Sequence, residues 1–479
     1  PSCANSASSA AADQTVMPAM RSPLFKPRPL SGWVLAALLA APSAQALDLL
    51  QTWEQARQHD PQMQVVAATR SSVQAFEDQA KALWRPVLMG SATVGGMSAD
   101  SSTQGAQFSM GGSPMSGNFA TSANAATSTR WSLQAKQPLY SPERQAQQAQ
   151  LHTAAGVAEL RADLAQQQFM LLTVQRYFNL LLAERQQQVL KSQHAAVRRS
   201  LTEVQDRFAL GDLPVTDTHE ATARAAGLQA QLLAADNEVH MARSVLADST
   251  RLSADALKLQ APKTETPASA VPSLEQVLAQ VQQANTGVLL KKAQHDVARQ
   301  ELQKHARSGG VTLDLVASVG RDRLSGEGDF GTSSNTQSQQ MLGLSLNVPL
   351  YTGGWRSAKL QEALSAQAQA AAEADMALQQ AQQQARSVWL ALQTGPSRLS
   401  AMQAAWKAST ARLDATRLGR HVGDRTTLEL LQAENDAAQA ELAWLRAQTD
   451  LLSTRMQLDA LTGSLSVQSL QTLNAQLQP

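Results

Sequence analysis

The sequence has few aromatic residues, almost no net charge and a single cysteine. Only 4% of its 479 residues are aromatic, although 43% are hydrophobic. Aromatic rings dominate the buried area of ordinary cores, so this composition argues against an ordinary globular enzyme. A formal net charge of +1 argues against a nucleic-acid-binding protein, and the hydrophobic content argues against disorder. Ala and Gln are abundant instead, which favours long, closely packed helices.

Residues 1–46 have the layout of an N-terminal extension that contains a cleaved secretory signal peptide. A basic stretch with Lys26 and Arg28 precedes an apolar stretch at 33–41, and an Ala-Gln-Ala cleavage site follows at 44–46. A short membrane anchor is the alternative, but a helix needs about 20 apolar residues to cross a bilayer. We therefore expect an exported protein.

The rest of the chain lacks the residues that most catalytic and metal sites require. The single cysteine, Cys3, lies in the segment that we expect to be removed, so disulfides and Cys-based sites are excluded. His219-Glu220 is followed by Ala-Thr-Ala and does not complete a zinc motif, and no Gly-Lys pair forms a phosphate-binding loop. No later segment contains 18 consecutive apolar residues, so the sequence predicts no membrane-spanning helix. The sequence therefore predicts no enzyme, no metal and no cofactor.

Three pairs of segments show that the chain contains one large unit twice. They match at offsets of 211, 212 and 225 residues: 137–140 with 348–351, 210–212 with 422–424, and 49–70 with 274–295. This period is too long for a solenoid repeat. We predict a first structural repeat at 47–258, a Pro-rich linker at 259–272, a second structural repeat at 273–465 and a C-terminal tail at 466–479.

Each repeat contains two segments with the period-two alternation of a β-strand. The predicted strands lie at about 87–96, 130–137, 311–320 and 341–349. Val316 interrupts the polar face of the third strand. The connecting segments 97–129 and 321–340 are rich in Ser, Gly, Asn and Gln, so we predict that they are exposed loops.

Long helices follow the strands in both repeats. Residues 142–210 and 355–419 contain almost no helix breakers, apart from Gly395-Pro396. At 1.5 Å per residue each helix would be about 100 Å long. In the helix after Gly423, apolar and small residues recur at spacings of three and four, which predicts a coiled-coil seam.

Four strands of this kind point to a membrane barrel that several chains share. About ten residues suffice for a tilted strand to cross a bilayer, and a sheet in lipid must close because open edges leave N–H and C=O groups unsatisfied. Bacterial outer-membrane barrels begin at eight strands, so four per chain cannot close alone. The alternative is a periplasmic α+β protein with a soluble four-stranded sheet.

These features together resemble the TolC-like outer-membrane channel family over nearly all of 47–465. The resemblance is carried by the duplicated strands, by the Pro-Leu-Tyr-Thr-Gly-Gly junction within 348–354, and by the turn motifs at 207–211 and 422–426. It implies a mostly α fold with a small β part: a homotrimer with a shared barrel in outer-membrane lipid and a helical tunnel in the periplasm. It also implies docking on a periplasmic adaptor and on an inner-membrane ABC transporter or drug antiporter.

The turns between the long and the short helices are the predicted functional sites. Gly211 and Gly423 suit helix ends that need a left-handed residue, and Asp212 and Asp424 would assist the start of the next helix. The resemblance implies that these turns dock the adaptor. Capping alone would also explain both Gly-Asp pairs.

The resemblance also places a latch and a charged ring at the periplasmic entrance. It maps the latch onto Asp217 and Arg425, and Arg420 replaces a tyrosine of the family, so that Arg420 could instead pair with Asp217. It maps the entrance carboxylate rings onto Glu429 and Gln432, of which only Glu429 keeps its charge. Three such carboxylates would attract cations; the alternative is that Glu429 is a solvated helix charge.

We therefore expect a passive exit duct, with two kinds of cargo possible. One is a protein such as a toxin, exported by type I secretion, and the other is a small toxic compound, exported by a multidrug efflux pump. The absence of a cysteine for lipidation favours secretion. A non-conducting periplasmic scaffold is the alternative of a different class.

Overall fold

The computed structural model describes residues 48–253, 257, 259–263, 271–328 and 331–477. The predicted signal peptide and residues 264–270 of the predicted linker lie outside these residues. In chain order the elements are α1 Leu49–His59, α2 Pro61–Ala82, β1 Val87–Met110, β2 Ser113–Tyr140, α3 Pro142–Ala209, α4 Val215–Thr250, α5 Leu274–Ala284, α6 Thr286–Arg307, β3 Thr312–Gly328, β4 Gly331–Asn347, α7 Trp355–His421, α8 Thr427–Leu461 and α9 Val467–Asn474.

The second half of the chain repeats the order of the first half. Helices α5 and α6 have the same lengths as α1 and α2, 11 and 22 residues, and begin 225 residues later. After the strands the offset falls to 213, the distance from Pro142 to Trp355. The second hairpin, residues 312–347, is 18 residues shorter than the first, residues 87–140, and the connection to α7 is six residues longer than that to α3, which leaves a net loss of 12.

The strands are much longer than the sequence predicts. β1 and β2 have 24 and 28 residues, and β3 and β4 have 17 each. The prediction of exposed loops at 97–129 and 321–340 is therefore wrong. These polar segments are strands because each pairs with its neighbour along its whole length. Gly111 and Gly112 both have positive φ, which a two-residue hairpin turn requires.

The four strands form one antiparallel sheet in the order β1-β2-β3-β4. The pairing of β2 with β3 joins the two repeats, as at Ala135 opposite Ala317. The sheet curls into half a barrel. Its outer face carries exposed apolar side chains such as Leu342 and Leu344, and its inner face is mostly polar.

A cross-strand ion pair lies on the inner face at the junction of the repeats. Lys136 of β2 contacts Asp314 of β3 at 2.9 Å, and the Asp314 side chain is only 5% exposed. Val316, which interrupts the polar pattern, is buried beside it. The curvature of the sheet thus shelters the inner face near the helices.

The long helices agree with the sequence prediction to within two residues at each end. α3 has 68 residues and α7 has 67, so each is about 100 Å long. Pro396 lies inside α7 without ending it. Its neighbour Gly395 leaves room for a close approach of α8, since a Cβ there would lie 2.6 Å from Leu451 Cδ1.

The main hydrophobic core lies midway along the helices and contains four aromatic rings. Trp53, Phe169, Tyr177 and Phe178 are all buried in one cluster, which also contains residues of α8 and α9. The hydroxyl of Tyr177 bonds both backbone groups of Gln260. Within the described chain, none of the helices is both long and apolar enough to span a membrane.

Candidate functional site at the two helix turns

The two long helices end in the same backbone motif. Gly211 after α3 and Gly423 after α7 have φ of 83° and 85°, the left-handed conformation that the sequence predicts. After α3, the N–H of Gly211 donates to Phe208 O at 2.9 Å and that of Asp212 donates to Arg207 O at 2.9 Å. Both bonds recur after α7, so each helix closes with a Schellman motif.

The short helices that follow begin in two different ways. α4 begins after Pro214, which has no side-chain oxygen and makes no capping bond. α8 begins after Thr426 in a capping box, in which Thr426 Oγ1 accepts from Glu429 N and Glu429 accepts from Thr426 N. The prediction that Asp212 and Asp424 assist these starts is wrong, because the capping positions lie two residues further along the chain.

Arg425 and Glu429 form an ion pair on the surface of the second turn. Arg425 Nη1 lies 3.0 Å from Glu429 Oε1, and both side chains are about half exposed. The backbone N–H of Thr426, the Arg425 guanidinium and the Thr426 hydroxyl hold the pKa of Glu429 below its ordinary value. Glu429 is therefore a charged group with a fixed orientation.

Gly419 gives Arg425 a place to pack against the last turn of α7. A Cβ on Gly419 would lie 2.7 Å from Arg425 Cγ, which is closer than carbon atoms pack. The sequence carries no signal for this role, since the close approach depends on how the turn folds back. Arg425 is thus positioned by Gly419 on one side and by Glu429 on the other.

Arg420 pairs with Glu203 and not with Asp217. Arg420 Nη2 donates to Glu203 Oε2 at 2.7 Å, which ties the end of α7 to the end of α3. Asp217, in the first turn of α4, accepts a bond from its neighbour Thr216 and forms no ion pair with any residue that the structure describes. Within one chain, the predicted latch residues Asp217 and Arg425 are not brought together. Sequence spacing gave no signal for Glu203, because its contact joins two helices from different repeats.

Gln432 lies one helical turn beyond Glu429 and is exposed. With Arg412, Arg425 and Glu429 it lines a shallow concavity of about 470 Å³ between α7 and α8. This surface carries two arginines and one carboxylate in the single chain. The residues proposed from the sequence for the entrance ring therefore share one polar surface.

Exposed apolar side chains surround both turns. Leu210 is 79% exposed, Val422 is 71% exposed and Leu418 is 67% exposed. Their role could not be predicted from the sequence, since a Leu or Val near a glycine at a helix end carries no signal by itself. Together they form an apolar tip at the end of the helices far from the sheet.

Comparisons with known proteins match this architecture over nearly the whole chain. The family model described as outer membrane efflux protein matches residues 52–250 and 311–464. Outer membrane protein TolC of Vibrio cholerae is 27% identical over 93% of this chain and 98% of its own length. The proteases secretion protein PrtF of Dickeya chrysanthemi is 26% identical over 92% and 93%. The CmeC outer membrane channel of Campylobacter jejuni superimposes with a TM-score of 0.68 at 14% identity and covers 90% of both chains.

These matches confirm the resemblance and the fold class that the sequence predicts. The proteins found are channel and export proteins, and the family model spans most of both repeats. The chain therefore belongs to the outer membrane efflux protein family and resides in the bacterial outer membrane.

Proposed function

We propose that the protein is the outer-membrane exit duct of a type I secretion system and exports a protein such as a toxin. The observation that carries this proposal is the similarity to the proteases secretion protein PrtF, which extends over 92% of this chain and 93% of the relative. In this role the protein carries cargo passively and catalyses no reaction.

Three copies would close the channel. The sheet of one chain has two free edges, since β1 pairs only with β2 and β4 only with β3 among the described residues. Open edges leave N–H and C=O groups unsatisfied in lipid, so the edge of one copy would pair with that of the next. A homotrimer would have twelve strands around one pore, above the minimum of eight for bacterial barrels.

The helix tips would dock a periplasmic adaptor, which in turn would hold an inner-membrane ABC transporter. The exposed apolar side chains around Gly211 and Gly423 support this role, because apolar patches rimmed by polar residues mark interaction surfaces. Asp212 and Asp424 lie at the same tips, and their side chains are exposed. The adaptor would therefore contact both turns of every copy.

The entrance would be closed by contacts between copies. Asp217 has no ion-pair partner among the residues described in its own chain, so it is available to Arg425 of a neighbouring copy. Arg420 would hold the end of α7 against Glu203 and so set the position of this latch. Glu429 and Gln432 would face the entrance, where three Glu429 carboxylates would favour cations.

Conductance across planar bilayers tests the channel and its latch. We expect Asp217→Ala with Arg425→Ser to raise single-channel conductance, because the contacts that hold the entrance shut are lost. The matched control is Glu373→Ala with Lys291→Ser, which removes an ion pair at 2.9 Å between α6 and α7, away from both turns, and should leave conductance unchanged. A protein that never conducts would instead be the periplasmic scaffold.

Reversal potentials test the ring. We expect Glu429→Ala to weaken cation selectivity and Gln432→Glu to strengthen it, since each changes three charges at the mouth. Unaltered reversal potentials in both variants would show that Glu429 acts only as a helix cap.

Deletion of the gene in its own bacterium tests the cargo. We expect one or more proteins to disappear from the culture medium and to return when the gene is restored, while drug sensitivity stays unchanged. The alternative is an efflux channel, which the family name itself supports. An unchanged set of secreted proteins together with increased drug sensitivity would establish that alternative.

A further inference from the structure

Two arginines face outward from the sheet on the strand β3. The exposure of side chains alternates along β3: Arg321 and Arg323 are exposed, and Asp322 between them is less exposed. Their cross-strand neighbours fix the face, since Leu133 and Trp131 of β2 lie opposite Val319 and Arg321. Residues opposite each other point to the same side of a sheet, so both arginines share the outer, apolar face.

The arginines lie where the apolar side chains of β3 and β4 end on this face. The apolar part of β3 runs from Leu313 to Val319 on alternate residues, and Arg321 is the next residue on that face. On β4 the change falls at the same level, between Leu342 and Gln340, which pair with Ala317 and Val319. Trp131, 46% exposed, stands beside Arg321. Such an aromatic ring at the end of an apolar band marks the level of the lipid headgroups.

This level is the one farther from the helices. β3 follows α6 and runs away from it towards the hairpin turn, and Arg321 and Arg323 lie in the part of the strand near that turn. Because the helices extend into the periplasm, this end of the sheet lies in the outer leaflet. The lipid of that leaflet carries phosphate groups.

The surroundings of the two arginines suit an anion. Hydroxyl groups flank them on the neighbouring strands: Ser338 opposite Arg321, and Thr336 and Thr129 opposite Arg323. Arg321 Nε donates to Ser338 Oγ at 3.2 Å. Among the residues that the structure describes, neither arginine forms an ion pair.

The arginine on the opposite face provides a contrast. Arg130 points to the inner face and contacts Asp322 at 2.6 Å, so its charge is already balanced. On the outer face, the next carboxylate along β3 is Glu327, four residues beyond Arg323. The outer arginines therefore retain their charge and their donors for a ligand.

We propose that Arg321 and Arg323, with the hydroxyls beside them, bind a phosphate group of an outer-leaflet lipid headgroup. A guanidinium binds phosphate with two parallel hydrogen bonds, and neighbouring hydroxyls can donate further bonds. Trp131 would pack against the adjacent acyl chains. This site would fix the depth and rotation of the barrel in the membrane, and it does not depend on which cargo passes through the channel.

The test measures lipid binding by the full-length protein in nanodiscs. Wild type would be placed in phosphatidylcholine with and without diphosphoryl lipid A, and bound lipid A would be counted by native mass spectrometry. We expect Arg321→Ala with Arg323→Ala to weaken lipid A binding about tenfold, since each cation near a charged membrane surface adds attraction. The matched control, Arg386→Ala with Arg398→Ala, removes two exposed charges from α7 and should bind lipid A as wild type does.

A second pair of substitutions and a competition with inorganic phosphate complete the test. If the alanine variant does not assemble, Arg321→Gln with Arg323→Gln keeps side-chain length and polarity and should show the same loss. Equal lipid A binding by wild type and the arginine variants would overturn the proposal. Inorganic phosphate at millimolar concentration should not displace lipid A, and displacement would overturn the assignment to a lipid headgroup.

Discussion

In the first half of the chain α2 begins at a buried carboxylate, whereas in the second half α6 begins at a buried amide. Asp60 lies 3.2 Å from Arg176 and accepts from the Ser249 hydroxyl at 2.6 Å. Asn285, at the matching position, donates to the carbonyl of Leu461 at 3.0 Å. Both residues also cap the helix that follows. The matching position thus binds α3 and α4 through a charge in the first half and α8 through a neutral bond in the second.

At the two turns, the second half and not the first has the charged side chains at the start of the helix. In the first half α4 begins at Pro214 without a side-chain cap, and in the second half Thr426, Glu429 and Arg425 surround the start of α8. The backbone that ends each long helix is nevertheless the same. The repeats thus share their backbone geometry at these two positions and differ in which position carries the ion pair: the start of α2 in the first half and the start of α8 in the second half.

The largest expected effect on stability comes from removing the buried carboxylate of Asp60. Asp60→Ala should lower the free energy of unfolding by about 3 kcal/mol, because it leaves Arg176 partly buried without its partner and removes a cap. Asn285→Ala should cost about 1–2 kcal/mol, since only a cap and a neutral bond are lost. Denaturant unfolding followed by circular dichroism at one protein concentration measures both. Equal losses would contradict the contrast between the halves.

The next largest effect concerns the left-handed glycine that follows the long helix in each half. Gly211→Ala and Gly423→Ala should each cost about 1–2 kcal/mol, because an alanine in the left-handed conformation is strained. Gly227→Ala is the matched control: it lies exposed within α4 with open space around it, so it should instead stabilise by about 0.5–1 kcal/mol. Thermal unfolding measures the stability loss of each variant. A large difference between the losses for Gly211→Ala and Gly423→Ala would show that the two long helices do not end through the same backbone conformation.

A smaller effect should separate the two helix starts. Thr426→Ala should destabilise by about 1 kcal/mol through the loss of a capping bond, and Pro214→Ser should stabilise by about 0.5 kcal/mol by adding one. Pro214 already has the extended backbone of a capping residue, with φ of −73° and ψ of 155°. Thermal unfolding checks both variants. Destabilisation by Pro214→Ser would show that the first turn needs its proline.

The smallest effect is the pH dependence of Glu429. Because the pKa of Glu429 is lowered in the folded state, its stabilisation is present above the unfolded pKa and is lost as pH falls through the folded value. Thermal midpoints of wild type and Glu429→Gln should therefore differ at pH 7 and converge as the solution is acidified below the ordinary Glu range. A difference that persists unchanged at low pH would mean that the carboxylate charge contributes nothing.

Much of the helical part could be predicted because its signals are local. Glycines at 211 and 423 fix the helix ends, and the breaker-free segments between them and the strands fix the helix lengths. The coiled-coil seam was only partly predicted. In this predicted apolar pattern of α8, Leu445, Leu452 and Met456 are buried within one chain, while Leu428 near the turn is 46% exposed. An apolar period in the sequence does not tell whether the partner helix belongs to the same chain.

The strand lengths and the ion pairs could not be predicted, because they depend on residues far apart in the sequence. A segment of Ser, Gly and Thr has the composition of a loop and becomes a strand only when a neighbour pairs with it. The pairs Arg420–Glu203 and Lys136–Asp314 both join one repeat to the other. Their partners could not be identified before the packing of the two halves was known.

The first hairpin extends beyond the four-stranded sheet, and this has an evolutionary consequence. β2 pairs with β3 only from Asn124 onwards, so the strands on either side of Gly111 and Gly112 form a two-stranded ribbon with no other neighbour among the residues that the structure describes in one chain. Paired residues can be added to or deleted from this ribbon without shifting any helix. Insertions and deletions among relatives should therefore accumulate here, and the two glycines mark a position for an inserted epitope tag that would report the protein on living cells.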